Sequence, residues 1–264
     1  MAGPHQKQRA TSPARRAKST RAGGGSADAA VRSASAPKSA SRKRVRETPA
    51  ARAARVERIL HQLHQTYPDA DCALRHESAY QLLVATILSA QCTDVRVNLV
   101  TPGLFARFPD AAALAQADIP ELEAIIRSTG FFRNKAKNLI GMAQRVCEVY
   151  GGDIPATMDD LLSLAGVARK TANCVLGTWF RKNEGIVVDT HVGRVSQRLG
   201  LLATARDDKD AVKIERDLMA LVPRADWTWL SHAMIDHGRA ICIARKPRCE
   251  VCPVAGDCPS AGIA

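Results

Sequence analysis

The sequence predicts an all-α protein, and three observations support that class. No stretch alternates apolar and polar residues convincingly at period two. From Thr48 onward apolar residues recur instead at the three- and four-residue spacing of helices. Aromatic residues make up only 4% of the chain against 46% hydrophobic residues, which suits an interior of Leu, Ile, Val and Ala packed between helices. At 264 residues the chain has room for one large domain or two small ones, either with a substantial core.

Taken in order, the chain opens with a segment that has no means of folding alone. Residues 1–48 are Ala, Ser, Gly, Pro, Arg and Lys with almost no large apolar side chains, so burial cannot offset the entropy of ordering them. They hold 12 basic residues against Asp28 and Glu47, which places ten of the twelve net positive charges before Pro49 and leaves the rest nearly neutral. Such a disordered basic tail is either an arm drawn to a nucleic-acid backbone or a solubilising extension. It also resembles an organelle transit peptide, but no apolar signal-peptide core is present and no later run reaches the length of a membrane span. A soluble intracellular protein is expected, cytoplasmic and associated with the nucleoid.

Thr48-Pro49 reads as a helix cap followed by proline in the first turn, and Val56, Ile59, Leu60 and Leu63 continue at helical spacing until Tyr67-Pro68. Ser78 opens a second helix, AYQLLVATILSAQ, apolar on nearly every face and therefore central to the core. Thr93 caps a third, and Pro109, Asp118 and Gly130 punctuate two more. A long amphipathic helix over Asn134 to Tyr150 closes at Gly151-Gly152. Three later helices are expected within Thr190 to Leu199, Asp207 to Leu221 and Asp226 to Ile241.

The chemistry is concentrated in Leu164 to His191, LAGVARKTANCVLGTWFRKNEGIVVDTH. A tight hairpin at Gly166, Val167, Ala168 and Arg169 joins two helices and offers backbone N–H groups to phosphate. Lys170 lies just inside the second helix and offers an amine nucleophile, and Asp189 stands immediately before a third with a carboxylate. Each part suits a task on DNA. Near the C-terminus, Cys242, Cys249, Cys252 and Cys258 follow the spacing Cys-x6-Cys-x2-Cys-x5-Cys. Four thiolates in one short loop make a metal or cluster site, and the single close pair, where structural zinc modules have two, favours iron-sulfur over zinc. Cys72, Cys92, Cys147 and Cys174 fall within apolar helical patterns and read as buried thiols. His232 and His237, five apart, do not share a helical face as two metal ligands would.

LAGVARKTAN, VVDTH and the four-cysteine loop, in that order, resemble the endonuclease III family of DNA glycosylases in the helix-hairpin-helix superfamily, over roughly Ala50 to the end. The resemblance implies two helical domains with a DNA groove between them, a six-helix module over 72–181 and a second domain made of 49–71 with 182–264. It implies a [4Fe-4S] cluster on Cys242, Cys249, Cys252 and Cys258. The implied substrate is duplex DNA with an oxidised pyrimidine or an abasic site, bound by a monomer. Because a base cannot be attacked inside the stack, the nucleotide must be rotated out. By the same likeness Gln91 fills the vacated space and Phe131 wedges beside it, although Phe132 could be the one turned inward.

Lys170 matches the family's nucleophile, which attacks the sugar C1′, expels the base and forms a Schiff base that permits β-elimination. An amine attacks only when neutral. The first turn of a helix disfavours a cation by up to about 2 kcal/mol, whereas a nearby carboxylate favours one. Asp189 is therefore assigned to proton transfer or to stabilising positive charge on the sugar. His191 could approach the site, and Arg245, Lys246 and Arg248 around the cysteine loop present charge to phosphate.

The hairpin departs from the family's LPGVG at Ala165 and Ala168. Alanine forced into a left-handed conformation costs about 1 to 2 kcal/mol, so Ala168 predicts either a strained hairpin or a looser one. Two other readings compete with a glycosylase and abasic-site lyase: a single-function mismatch glycosylase that uses water, and a non-catalytic iron-sulfur DNA-binding protein. Lys170 argues against the first, as does a chain that runs only six residues past Cys258, leaving little space for an added recognition domain.

Overall fold

The computed structural model describes residues 47–263, and among them are eleven α-helices and no strand. The basic tail lies outside the described residues, apart from Glu47 and Thr48. Helix α1 (Pro49–Thr66) starts where the Thr48 hydroxyl accepts the Ala51 amide, and Val56, Ile59 and Leu63 form its buried stripe. Burying side chains of this kind stabilises by about 1.5–3 kcal/mol each. Helix α2 (Ala79–Leu88), capped by Ser78, buries seven of its ten residues and forms the expected centre. It stops three residues short of the Gln91 end expected from its apolar run, because Gln91 takes a left-handed φ of 53° that breaks the helix.

Thr93 caps α3 (Asp94–Arg107), and Asp110 and Asp118 cap the short α4 (Ala111–Ala115) and α5 (Ile119–Ile126). A 3-10 turn at Arg127–Thr129 leads into α6 (Phe132–Tyr150), which ends at Gly151 with φ 65° as the Gly-Gly pair predicts. Helices α7 (Met158–Leu162) and α8 (Arg169–Thr178) flank the hairpin. They are followed by α9 (Thr190–Arg198), α10 (Ala211–Met219) and α11 (Trp227–Ala240).

The buried apolar side chains form two cores. One is drawn from Leu74 to Val187 and so from α2 through α8, while the other joins α1 to residues 186–254. Arg55 fastens α1 in place by donating to the Leu199 and Gly200 carbonyls, and Arg52 donates to that of Leu201. The extended segment between α8 and α9 belongs to both cores. Val187 enters the first, and its neighbours Ile186 and Val188 enter the second. Asp189 follows directly, so the carboxylate expected to act sits at the seam.

Candidate active site

A cleft of about 370 Å³ opens along this seam, at the lower end of the range for small-molecule pockets. It brings together Gln91 from the turn after α2, Lys170 and Thr171 from α8, Asp189 from the seam, and His232, Asp236 and Arg239 from α11. Lys170 is exposed in the first turn of α8. Asp189 is the N-cap of α9, and its Oδ1 accepts the amides of His191 and Val192, each at 2.8 Å. Capping occupies one carboxylate oxygen and leaves Oδ2 without a partner among the described residues. The capping and chemical readings of Asp189 are therefore compatible.

The hairpin departs from the sequence-based expectation at Ala168. Its φ of −100° and ψ of 169° are ordinary extended backbone, so the alanine stores no left-handed strain. Gly166 is the residue that turns left-handed, at φ 76°, and a Cβ there would fall 2.8 Å from that of Asn138. No side chain caps α8, whereas Thr48, Ser78, Thr93 and Asp189 cap theirs. The amides of its first turn are thus open to an anion. Val167 does not join them, because its side chain is buried in the first core and its amide donates to the Leu164 carbonyl. Arg169 is also engaged: its guanidinium pairs with the buried Glu215, which accepts from Asn173 as well. A Cβ at Gly185 would lie 2.1 Å from Glu215 Oε1, so a side chain there would displace the Glu215 carboxylate from its present position.

Both expected gap-filling residues stand on strained backbone. Gln91 and Phe131, with φ 53° and 48°, are two of four non-glycine residues with positive φ among those described, and Lys246 is a third. Such strain persists only where surrounding structure enforces it, and it clusters at functional positions. Phe131 is 64% exposed, while Phe132 is partly buried against the first core with Arg127 and Arg133 at its ring face. This assigns the inward role to Phe132 and leaves Phe131 projecting. His191 sits outside the cleft lining, with Nδ1 3.1 Å from Arg194. Sequence reasoning missed the Arg239–Asp94 ion pair across the cleft, whose partners lie 145 residues apart. Burial lowers the pKa of His232, which favours a neutral ring in the cleft wall.

The four cysteines of the C-terminal loop line a second, much smaller cavity, of about 20 Å³. The four thiols of the Cys-x6-Cys-x2-Cys-x5-Cys loop thus face one shared space, and thiolate sulfur is the donor that both iron-sulfur clusters and zinc take. Burial pushes the Cys252 and Cys258 thiols up, so a bound cation would be what holds them as thiolates. Arg198 braces the loop by donating to the Ile243 and Ala244 carbonyls, with its Nη1 3.4 Å from Cys242 Sγ. Arg245, Lys246 and Arg248 are exposed on its outer side.

Comparison with known proteins identifies the family. The family described as HhH-GPD superfamily base excision DNA repair protein matches residues 84–224, and the iron-sulfur binding domain of endonuclease III matches residues 242–258. Endonuclease III of Synechocystis sp. is 55% identical over 207 residues, spanning 78% of this chain and 93% of its own. Among solved structures, a non-covalent endonuclease III–DNA complex superposes with a TM-score of 0.74 at 39% identity, covering 79% of this chain and 96% of that one. A trapped endonuclease III–DNA covalent intermediate has the same score, identity and coverage.

Proposed function

Since the chain belongs to the endonuclease III family of base-excision DNA glycosylases, we propose that it removes oxidised pyrimidines from duplex DNA and cleaves the resulting abasic strand through Lys170. It is a DNA-binding repair enzyme that carries a [4Fe-4S] cluster. The observation that carries the lyase reading is the placement of Lys170 and Asp189 in one cleft, at the foot of an uncapped helix. A covalent DNA intermediate trapped in a relative supports the same chemistry here.

The hairpin amides at Gly166 and Ala168 and in the first turn of α8 hold a phosphate while the damaged nucleotide rotates into the cleft. Rotation costs a few kcal/mol, least for a damaged base. Gln91 and Phe131 occupy the space left in the duplex. The Lys170 amine forms a bond to C1′ as the bond from C1′ to the base breaks, and the base departs with the electron pair. Asp189 Oδ2 stabilises the positive charge that develops on the sugar and accepts a proton from the attacking nitrogen. The amine adduct opens the sugar to a Schiff base, loss of a C2′ proton expels the 3′ phosphate, and water releases the lysine. Cys242, Cys249, Cys252 and Cys258 would hold the cluster, which would fix the loop carrying Arg245, Lys246 and Arg248 for contact with the DNA backbone. The enzyme acts as a monomer.

Borohydride trapping on abasic duplex tests this reading. Lys170→Gln should still bind but neither trap nor cleave, while Asp189→Asn, which keeps a capping oxygen for α9, should trap more slowly. Robust trapping by the Lys170→Gln variant would remove Lys170 from the nucleophile's role, and wild-type excision without any trapping would point to water as the nucleophile.

A further inference from the structure

A lysine deep in α6 links the two strained residues. Lys135 is only 4% exposed, and its Nζ donates to the carbonyls of Leu88 and Thr129, each at 2.8 Å. Leu88 is the last residue of α2, three before Gln91, and Thr129 closes the 3-10 turn two residues before Phe131. The Lys135 amide also donates to the Phe131 carbonyl, so one residue grips that turn from both sides. Both carbonyls held by the ammonium lie at C-terminal ends of helical turns, where the backbone dipole is negative and a cation is stabilised. No carboxylate pairs with this lysine among the described residues. Burial lowers its pKa, and these backbone oxygens are its acceptors.

We infer that Lys135 is a positioning residue for base extrusion: it fixes the spacing of the turns bearing Gln91 and Phe131 so that both enter the emptied stack together. The inference rests on the gap-filling role proposed above for those two residues. Neither turn can hold its side chain forward by itself, since glutamine and phenylalanine do not favour positive φ. With the ammonium tying α2 to the 3-10 turn, the two left-handed residues are fixed with respect to one another before DNA arrives. Extrusion then needs no ordering of the plug.

The test compares single-turnover excision of one lesion in two duplexes by the cluster-loaded enzyme. In the first the lesion is paired with guanine; in the second it faces an abasic site, so no partner base remains to be replaced. Lys135→Met, a neutral side chain of similar length, should slow the paired reaction by about tenfold and the unpaired reaction by less than about twofold. Lys135→Arg, which retains charge and donors, should recover part of the loss. A purely structural defect would slow both duplexes alike, and that result would overturn the inference. Lys135→Gln, which keeps a donor for one carbonyl, supplies the same ratio should the methionine variant fail to fold. Gln91→Ala and Phe131→Ala, measured in parallel, separate the two levels of argument. If they shift the ratio and Lys135→Met does not, the clamp falls and gap filling stands. If none of the three shifts it, gap filling falls and takes the clamp with it.

Discussion

At the scale of single residues, the hairpin shows how one missing atom serves binding at the expense of stability. Ala168 occupies the N-cap of α8 with cap geometry but no side-chain oxygen, so the first amides of that helix stay open. Ala168→Ser should therefore raise stability by about 1 kcal/mol, because serine satisfies an orphan amide. The same hydroxyl competes with phosphate, and affinity should fall by similar factors on damaged and undamaged duplex, since phosphate contacts carry no base information. Thermal melting with binding titrations on both duplexes checks this, and a serine variant that binds as tightly as the parent would show that phosphate does not use those amides. Caps such as Thr48, Ser78, Thr93 and Asp189 were legible in the sequence because a cap reads residues two or three positions away. Lys135 and Glu215 were not, since their partners lie as much as 47 and 46 residues distant and neither side chain interrupts the helical pattern around it. The positive φ of Gln91 and Phe131 was equally hidden, as neither residue type announces it.

At the scale of elements, the link from α9 to α10 depends on one buried carboxylate. Asp217, 5% exposed, accepts the amides of Ala203, Thr204 and Ala205 and the Thr204 hydroxyl. Burial alone would raise its pKa, but these donors outweigh it and hold the group down at about 2. The folded value lies below the ordinary one, so the stabilisation is complete above about pH 4 and is lost as pH falls through about 2. Asp217→Asn should cost about 2 kcal/mol at neutral pH. The gap from the parent should narrow between about pH 4 and 2. Urea titrations of both proteins across that range test it, and a gap independent of pH would mean the charge is immaterial. Element positions were largely readable because α2, α6 and α9 carry strong local signals. The end of α2 was misplaced because apolar periodicity runs on through residues that a left-handed turn has taken out of the helix.

At the scale of the whole molecule, charge and topology are divided along the chain in different ways. Most of the net positive charge precedes Pro49, whereas the cleft, the hairpin and the cysteine loop all follow it. Removing residues 1–46, which spares the Glu47–Arg55 ion pair and the Thr48 cap, should weaken binding to all duplexes and flatten the slope of log affinity against log salt. An unchanged slope would mean that this charge does not reach the DNA backbone. The two cores also differ in how the chain supplies them: the first is continuous from Leu74 to Val187, but the second needs α1 together with residues beyond 185. During synthesis, then, α1 emerges first and finds its partners last. At ribosomal speeds its apolar stripe waits on the order of 10 s while the residues between are made, and the intervening core can condense in that interval. The four cysteines emerge after that, so cluster insertion falls at the end of the folding order, when α1 is at last covered.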